Sequence, residues 1–227
     1  MKTIFFTLIC FVSTFSFMSC SSQDDNIYSC DDVINAWAQE NISEIRSMSW
    51  AQWKKLPAEK KHAAYVAFTQ QQKINFWKDK LTGLMTQDWS KEELDHIKLV
   101  YDFIIEHPSF FNNDGLTEEQ ENILELFFYK WSDIAKNKLG WNMKLIFAMV
   151  ASGEDVILNK TRTGEDFTSG FDERIKYGPN DCHCNTSILS DFCNVTLQGI
   201  CEDTSCNIVK GCGWLFMQDC NGKCSDL

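Results

Sequence analysis

Eight of the eleven cysteines fall in the last 46 residues, and not one lies in residues 31–181. A segment that short buries too little apolar surface to offset its ordering entropy, and cross-links make up the difference by restricting the unfolded state. The cysteines are Cys182, Cys184, Cys193, Cys201, Cys206, Cys212, Cys220 and Cys224, a density well above the threshold for a disulfide scaffold. Four disulfides are expected, and eight cysteines leave their pairing open. Zinc is the competing reading of any cysteine cluster. Structural zinc sites favour cysteines two to four residues apart, and no Cys-x-x-Cys occurs, so no metal is assigned and His183 reads as a surface residue. Within the tail, Gly211-Cys212-Gly213 supplies permissive backbone. Trp214-Leu215-Phe216-Met217 reads as a short strand, and Asn221-Gly222 as a turn.

Disulfides of this kind need an oxidising compartment. The amino terminus agrees, because Lys2 precedes an apolar, Phe-rich run that ends at Ser19-Cys20. A charged start, an apolar core and a small residue before the cut mark a signal peptide over residues 1–19, and the run is too short to span a bilayer comfortably. Phe17-Met18-Ser19-Cys20 resembles a bacterial lipobox, which makes Cys20 the lipidated residue and the polar stretch after it a tether (20–30) to the outer membrane or cell surface. Cys30 is then the odd thiol.

Residues 31–152 read as consecutive amphipathic helices. Asp31 can cap the first, with Val33, Ile34, Trp37, Ile42 and Ile45 as its apolar positions. Pro57 opens another. Thr69 precedes a stripe of Ile74, Trp77, Leu81 and Leu84. Ser90-x-x-Glu93 and Thr117-x-x-Gln120 are capping boxes. The first is followed by Leu94, Ile97, Tyr101, Ile104 and Ile105, the second by Ile123, Leu124, Phe127, Trp131 and Ile134. Pro108 ends one helix, Gly140 suits a C-cap, and a last apolar stretch runs over residues 141–151. Residues 153–181, with four glycines and a proline, read as a linker. The expected architecture is an all-α helical bundle followed by a small disulfide-rich, strand-containing C-terminal module (182–227), each part folding by itself.

The net charge of −11, from 21 basic and 32 acidic residues, argues against a nucleic-acid binder, which needs a basic face. No phosphate-cradling glycine loop, nucleophile elbow or His-Glu-x-x-His pair occurs, so neither catalytic residues nor a cofactor are assigned. Cys182-x-Cys184, Asp191-Phe192-Cys193, Gly211-Cys212-Gly213-Trp214 and Asn221-Gly222 resemble fulvocin C, a small cysteine-rich bacteriocin of gliding bacteria. Leu56-Pro57 and residues 76–81 are similar to the longer bacteriocin fulvocin C-related proteins of Bacteroidota-type bacteria. The resemblance implies an antibacterial module carried by an exported lipoprotein; a non-toxic surface binding protein is the alternative. The tail is itself acidic, Lys210 and Lys223 standing against five carboxylates, so the expected partner is a specific envelope target on related bacteria rather than bulk anionic lipid. The contact candidates are Trp214, Leu215, Phe216 and Met217, with the loop around Asp203; the alternative for Trp214 is that it fills the small core of the knot.

Overall fold

The computed structural model describes residues 26–158, 167–169, 182–196, 199–204 and 209–225. The expected signal peptide and Cys20 lie outside them. Two short helices, α2 (Ile42–Ile45) and α3 (Trp50–Trp53), follow α1 (Asp32–Glu40). Then come α4 (Ala58–Ala67), α5 (Gln70–Met85), α6 (Lys91–Glu106), α7 (Glu118–Asn137) and α8 (Met143–Val150). A 3-10 turn, Pro108–Phe111, links α6 to α7. The starts are local chemistry: the Asp31 carboxylate accepts from Val33 and Ile34 N–H, and Thr69, Ser90 and Thr117 all close capping boxes. Ser49 with Gln52 closes another, and beyond α7 Gly140 turns at φ +71°.

The stripes pack inward with a few exceptions. Ile74, Trp77, Leu81 and Leu84 are buried, as are Ile97, Ile104, Leu124 and Trp131. Val33, Ile105, Ile123 and Ile134 stay exposed. A run of five residues in α4, Ala63-Ala64-Tyr65-Val66-Ala67, is buried on every side. A helical stretch apolar all round is an interior one, and α4 packs against α1, α2 and the tail.

The tail is a set of short pieces: α9 (Cys193–Thr196), β3 (Cys201–Asp203), β4 (Val209–Cys212), a 3-10 turn (Trp214–Phe216), β5 (Gln218–Cys220) and β6 (Gly222–Cys224). Strand β3 pairs antiparallel with β6, and β4 with β5. Two expectations change here. Trp214 to Phe216 form a 3-10 turn instead of a strand, and Asn221-Gly222, read as a turn, instead carries the chain from β5 of one sheet into β6 of another. The span read as a linker also begins ordered. Val156–Leu158 (β1) pairs antiparallel with Phe167–Ser169 (β2), and Gln87 holds Leu158 N–H at 2.7 Å.

What pins that stretch is a set of cations in places where lysine is rare. Lys80, 2% exposed, donates to the carbonyls of Ala148 and Ser152 at the end of α8 and lies 5.3 Å from the Trp77 ring. Burial lowers its pKa to about 7, against the pull of Glu154 and Asp155. Lys54 pairs with Asp155 at 2.7 Å and Lys61 with Glu154 at 2.5 Å, while Trp50 Nε1 donates to Gly153 O at 2.8 Å. Together these hold residues 152–155 against α3, α4 and α5.

Candidate functional site

The tail has an inner and an outer face, and the apolar residues named as contact candidates lie on the inner one. Trp214, Leu215 and Met217, expected as exposed contacts, are 2%, 0% and 5% exposed, and Phe216 is only partly accessible. Trp214 stacks on Phe128 of α7 at 4.7 Å between nearly parallel rings and meets Phe192 edge-on at 4.8 Å. Phe216 sits among Tyr65, Phe76 and Trp77, with centroids 5.0, 6.5 and 5.2 Å away. The Tyr65 hydroxyl donates to the Leu215 carbonyl at 3.2 Å and accepts from Trp77 Nε1 at 3.0 Å. One continuous core therefore runs from Tyr28 to Met217, and the boundary drawn at residue 182 does not coincide with a boundary in packing. The physical reason is supply. Four apolar side chains cannot bury one another in a knot this small, but they complete a core to which the helices already bring Phe128, Tyr65, Phe76 and Trp77.

The insertion needs an unusual backbone. Leu215 and Phe216 both have left-handed φ, +50° and +54°, at about 1–2 kcal/mol each for residues with a Cβ. Gly213 supplies a further positive φ (+66°) just before them, where a Cβ would collide with the Gln218 amide. Cys212–Cys220 spans this loop, so the cross-link encloses the whole inserted segment. His62 of α4 lies 3.3 Å from Cys220 Sγ.

Two further described pairs, Cys184–Cys201 and Cys193–Cys224, staple the remainder. Cys182 is disulfide-bonded as well, and Cys206 lies outside the described residues. Cys30 is half-buried against Cys182, Val209, Cys212 and Cys220. Among the described residues, two groups gather sulfur and imidazole ligand atoms within 4.8 Å: His62 with Cys212 and Cys220, and Cys184 with Cys193 and Cys201. In both groups the sulfurs are in disulfides, and the metal ligand is a thiolate, so neither donor set fits a metal in this oxidised form. His183 is half-buried and accepts from Cys224 N–H at 3.1 Å.

The outer face carries what sequence reasoning missed. Asp203 is exposed at the end of β3. The new feature is the turn over residues 187–190. The Asn185 side chain takes Ser187 N–H at 2.9 Å and the Ser190 hydroxyl at 3.0 Å, and gives its own N–H to Asp219 O at 2.8 Å. At the tip stand Ile188, 94% exposed, and Leu189, 39% exposed. The Ser187 hydroxyl donates to Glu125 of α7 at 2.6 Å, and the Gln218 amide reaches the same oxygen at 3.4 Å. That carboxylate fixes the tip beside an exposed apolar strip of α7, with Leu126 and Tyr129 each more than half exposed. A shallow cleft of about 390 Å³ adjoins it, lined by Glu118, Glu119, Asn122, Ile123 and Leu126. The carboxyl of Glu121 is raised above its usual range by burial first, then by repulsion from Asp219 and Glu125. The sequence holds only a pair of aliphatics framed by serines between Cys184 and Cys193, with no periodicity to mark them. Among the described residues, no helix is long and apolar enough to cross a membrane. No family model matches the chain, and no curated protein or solved structure matches it.

Proposed function

We propose that the chain is an exported, lipid-anchored surface protein that binds a partner, with its helices and stapled tail acting as one rigid body. The observation that carries this reading is the seating of Trp214 and Phe216 in the helical core. A tail whose largest apolar side chains are committed inward has none of them left to insert into a bilayer. What it does hold out to solvent is a turn preorganised by disulfides and side-chain hydrogen bonds, which favours recognition by lowering the ordering cost of binding. The apolar amino-terminal run and Ser19-Cys20 support export and anchoring at Cys20. The test is fractionation of producing cells with non-reducing mass analysis. The expected outcome is an intact, lipidated chain in the membrane fraction, with Cys20→Ala moving it out. A supernatant dominated by a released tail would sink the reading.

A second reading, the fulvocin C-like antibacterial module, is favoured by one specific observation. Every described cysteine pair joins two tail residues, so a detached tail would keep those staples. Growth inhibition of related strains by an oxidised, released tail supports it, and inactivity of both that tail and the whole protein removes it. Neither reading assigns the chain a catalytic role.

A further inference from the structure

We infer that the tip Ile188-Leu189, with Leu126, Tyr129 and Ile123 of α7, is a docking surface for a cationic amphipathic helix. This deepens the partner-binding reading above and rests on it. Ile123, Leu126 and Tyr129 recur at spacings of three along α7, and the Ser187–Glu125 hydrogen bond ties the turn to that helix one residue before Leu126 and one helical turn before Tyr129. The surface is also built. Asn185 and Glu125 hold the turn from both sides, Cys184–Cys201 anchors its start, and the Asp191 carboxylate fixes its end by accepting from Cys193 and Cys201 N–H at 2.8 and 3.0 Å. An isoleucine with almost its whole side chain in water, on backbone held this firmly, offers contact area without an ordering penalty.

Charge selects the occupant. Residues 118–130 carry four glutamates and one lysine, Lys130. The other nearby cation, Lys210, is engaged by Asp219. The first-turn glutamates favour the dipole of α7, but Glu125 lies beyond that turn, and Glu121 feels repulsion from Asp219 and Glu125. An anionic bilayer is repelled by such a rim. A second copy of the chain would set glutamates against glutamates. A helix with apolar residues at spacings of three and four and lysine or arginine on its flanks fills the apolar strip and neutralises the rim together.

The experiment uses the purified, oxidised full-length mature chain and three fluorescent 18-residue probes, read by anisotropy. These are a Leu/Lys amphipathic helix, a scrambled peptide of the same composition, and a Leu/Glu amphipathic helix. The expected result is that the Leu/Lys helix binds at least tenfold tighter than the scramble and that the Leu/Glu helix does not bind. Ile188→Ser and Leu126→Ser should each weaken binding tenfold or more. Val33→Ser, a change on α1 at a residue whose exposure lies between those two, should leave it unchanged; circular dichroism verifies the fold of each variant. Equal binding of helix and scramble, or binding unaffected by both Ile188→Ser and Leu126→Ser, overturns the inference. So does self-association by sedimentation, or capture by phosphatidylglycerol vesicles, that Ile188→Ser abolishes. The measurement needs no export, so its failure leaves the anchoring reading intact, and failed fractionation leaves this surface intact.

Discussion

Trp77 in the helices and Trp214 in the tail are buried to nearly the same degree, but different physics holds each of them. Trp77 sits mid-helix on an ordinary backbone, and its indole N–H donates to Tyr65. Trp214 follows a left-handed glycine and precedes two left-handed residues, and its Nε1 has no hydrogen-bond partner among the described residues. An unsatisfied buried donor costs about 1–3 kcal/mol. That cost, added to the backbone strain, is offset by stacking on Phe128 and by the Cys212–Cys220 link. The helices thus set their backbone geometry locally, whereas the tail's backbone is set by its cross-links and by the core that the two regions share. The contrast teaches that cysteine density marks where a chain is stapled, not where it is independent.

The largest expected effect is truncation after residue 181. Removing the tail strips one wall from a cavity lined by Tyr65, Phe76, Trp77 and Phe128, so the shortened chain should keep helical circular dichroism but lose its cooperative melt and bind a hydrophobic dye. A sharp melt at the full-length temperature would break the comparison, because the helices would then be complete alone. Trp214→Ala comes next, expected to lower stability by about 3–5 kcal/mol as a large aromatic lost from a core. The effect should appear in one transition seen alike by helical and tail probes. Two separate transitions would mean the two regions are only neighbours. Tyr65→Phe is milder, at about 1–3 kcal/mol, since it removes the donor to Leu215 and the acceptor of Trp77 while keeping the ring.

How legible this was depended on distance along the chain. The caps at Asp31, Thr69, Ser90 and Thr117 were readable because each joins a side chain to a backbone amide two or three residues away. The stripe Ile74, Trp77, Leu81, Leu84 was readable for the same local reason. The seat of Leu215 was not, because its partner Tyr65 stands 150 residues earlier and leaves no mark in the tail. Nor was the order of residues 152–155, which depends on Lys80, a residue type that pattern reasoning puts in water. Ile188 gave no signal at all: two aliphatics between serines have no periodicity to say which way they point, and this one is the tip of a turn.

Lys80 gives a pH test of the helical side of the comparison. Its pKa is about 7 when folded and 10.5 when unfolded, so between those values the unfolded chain holds the extra proton. Stability therefore rises with pH across that window, and Lys73, lowered to about 8 by burial and by Lys210, adds in the same direction. Urea midpoints measured from pH 7 to 9.5 should climb, and Lys80→Met should flatten the climb. A midpoint that falls over this range, or a slope indifferent to Lys80→Met, would show that the buried ammonium is not the group responsible.

The smallest expected effect sharpens the comparison most, because it separates the two kinds of apolar residue within the tail. Ile188→Ser removes a side chain that is 94% in water and whose turn is held by Asn185 and by Ser187, not by Ile188 itself. Surface substitutions of that kind stay within about 0.5 kcal/mol. The melting temperature should thus barely move, whereas Leu215→Ser, which puts a hydroxyl into the core at 0% exposure, should unfold the tail from its seat. The pair reads the two faces with the same chemical change. If Ile188→Ser destabilised the protein as Leu215→Ser does, the tip would be part of a core after all, and Ile188 would not be free for a partner.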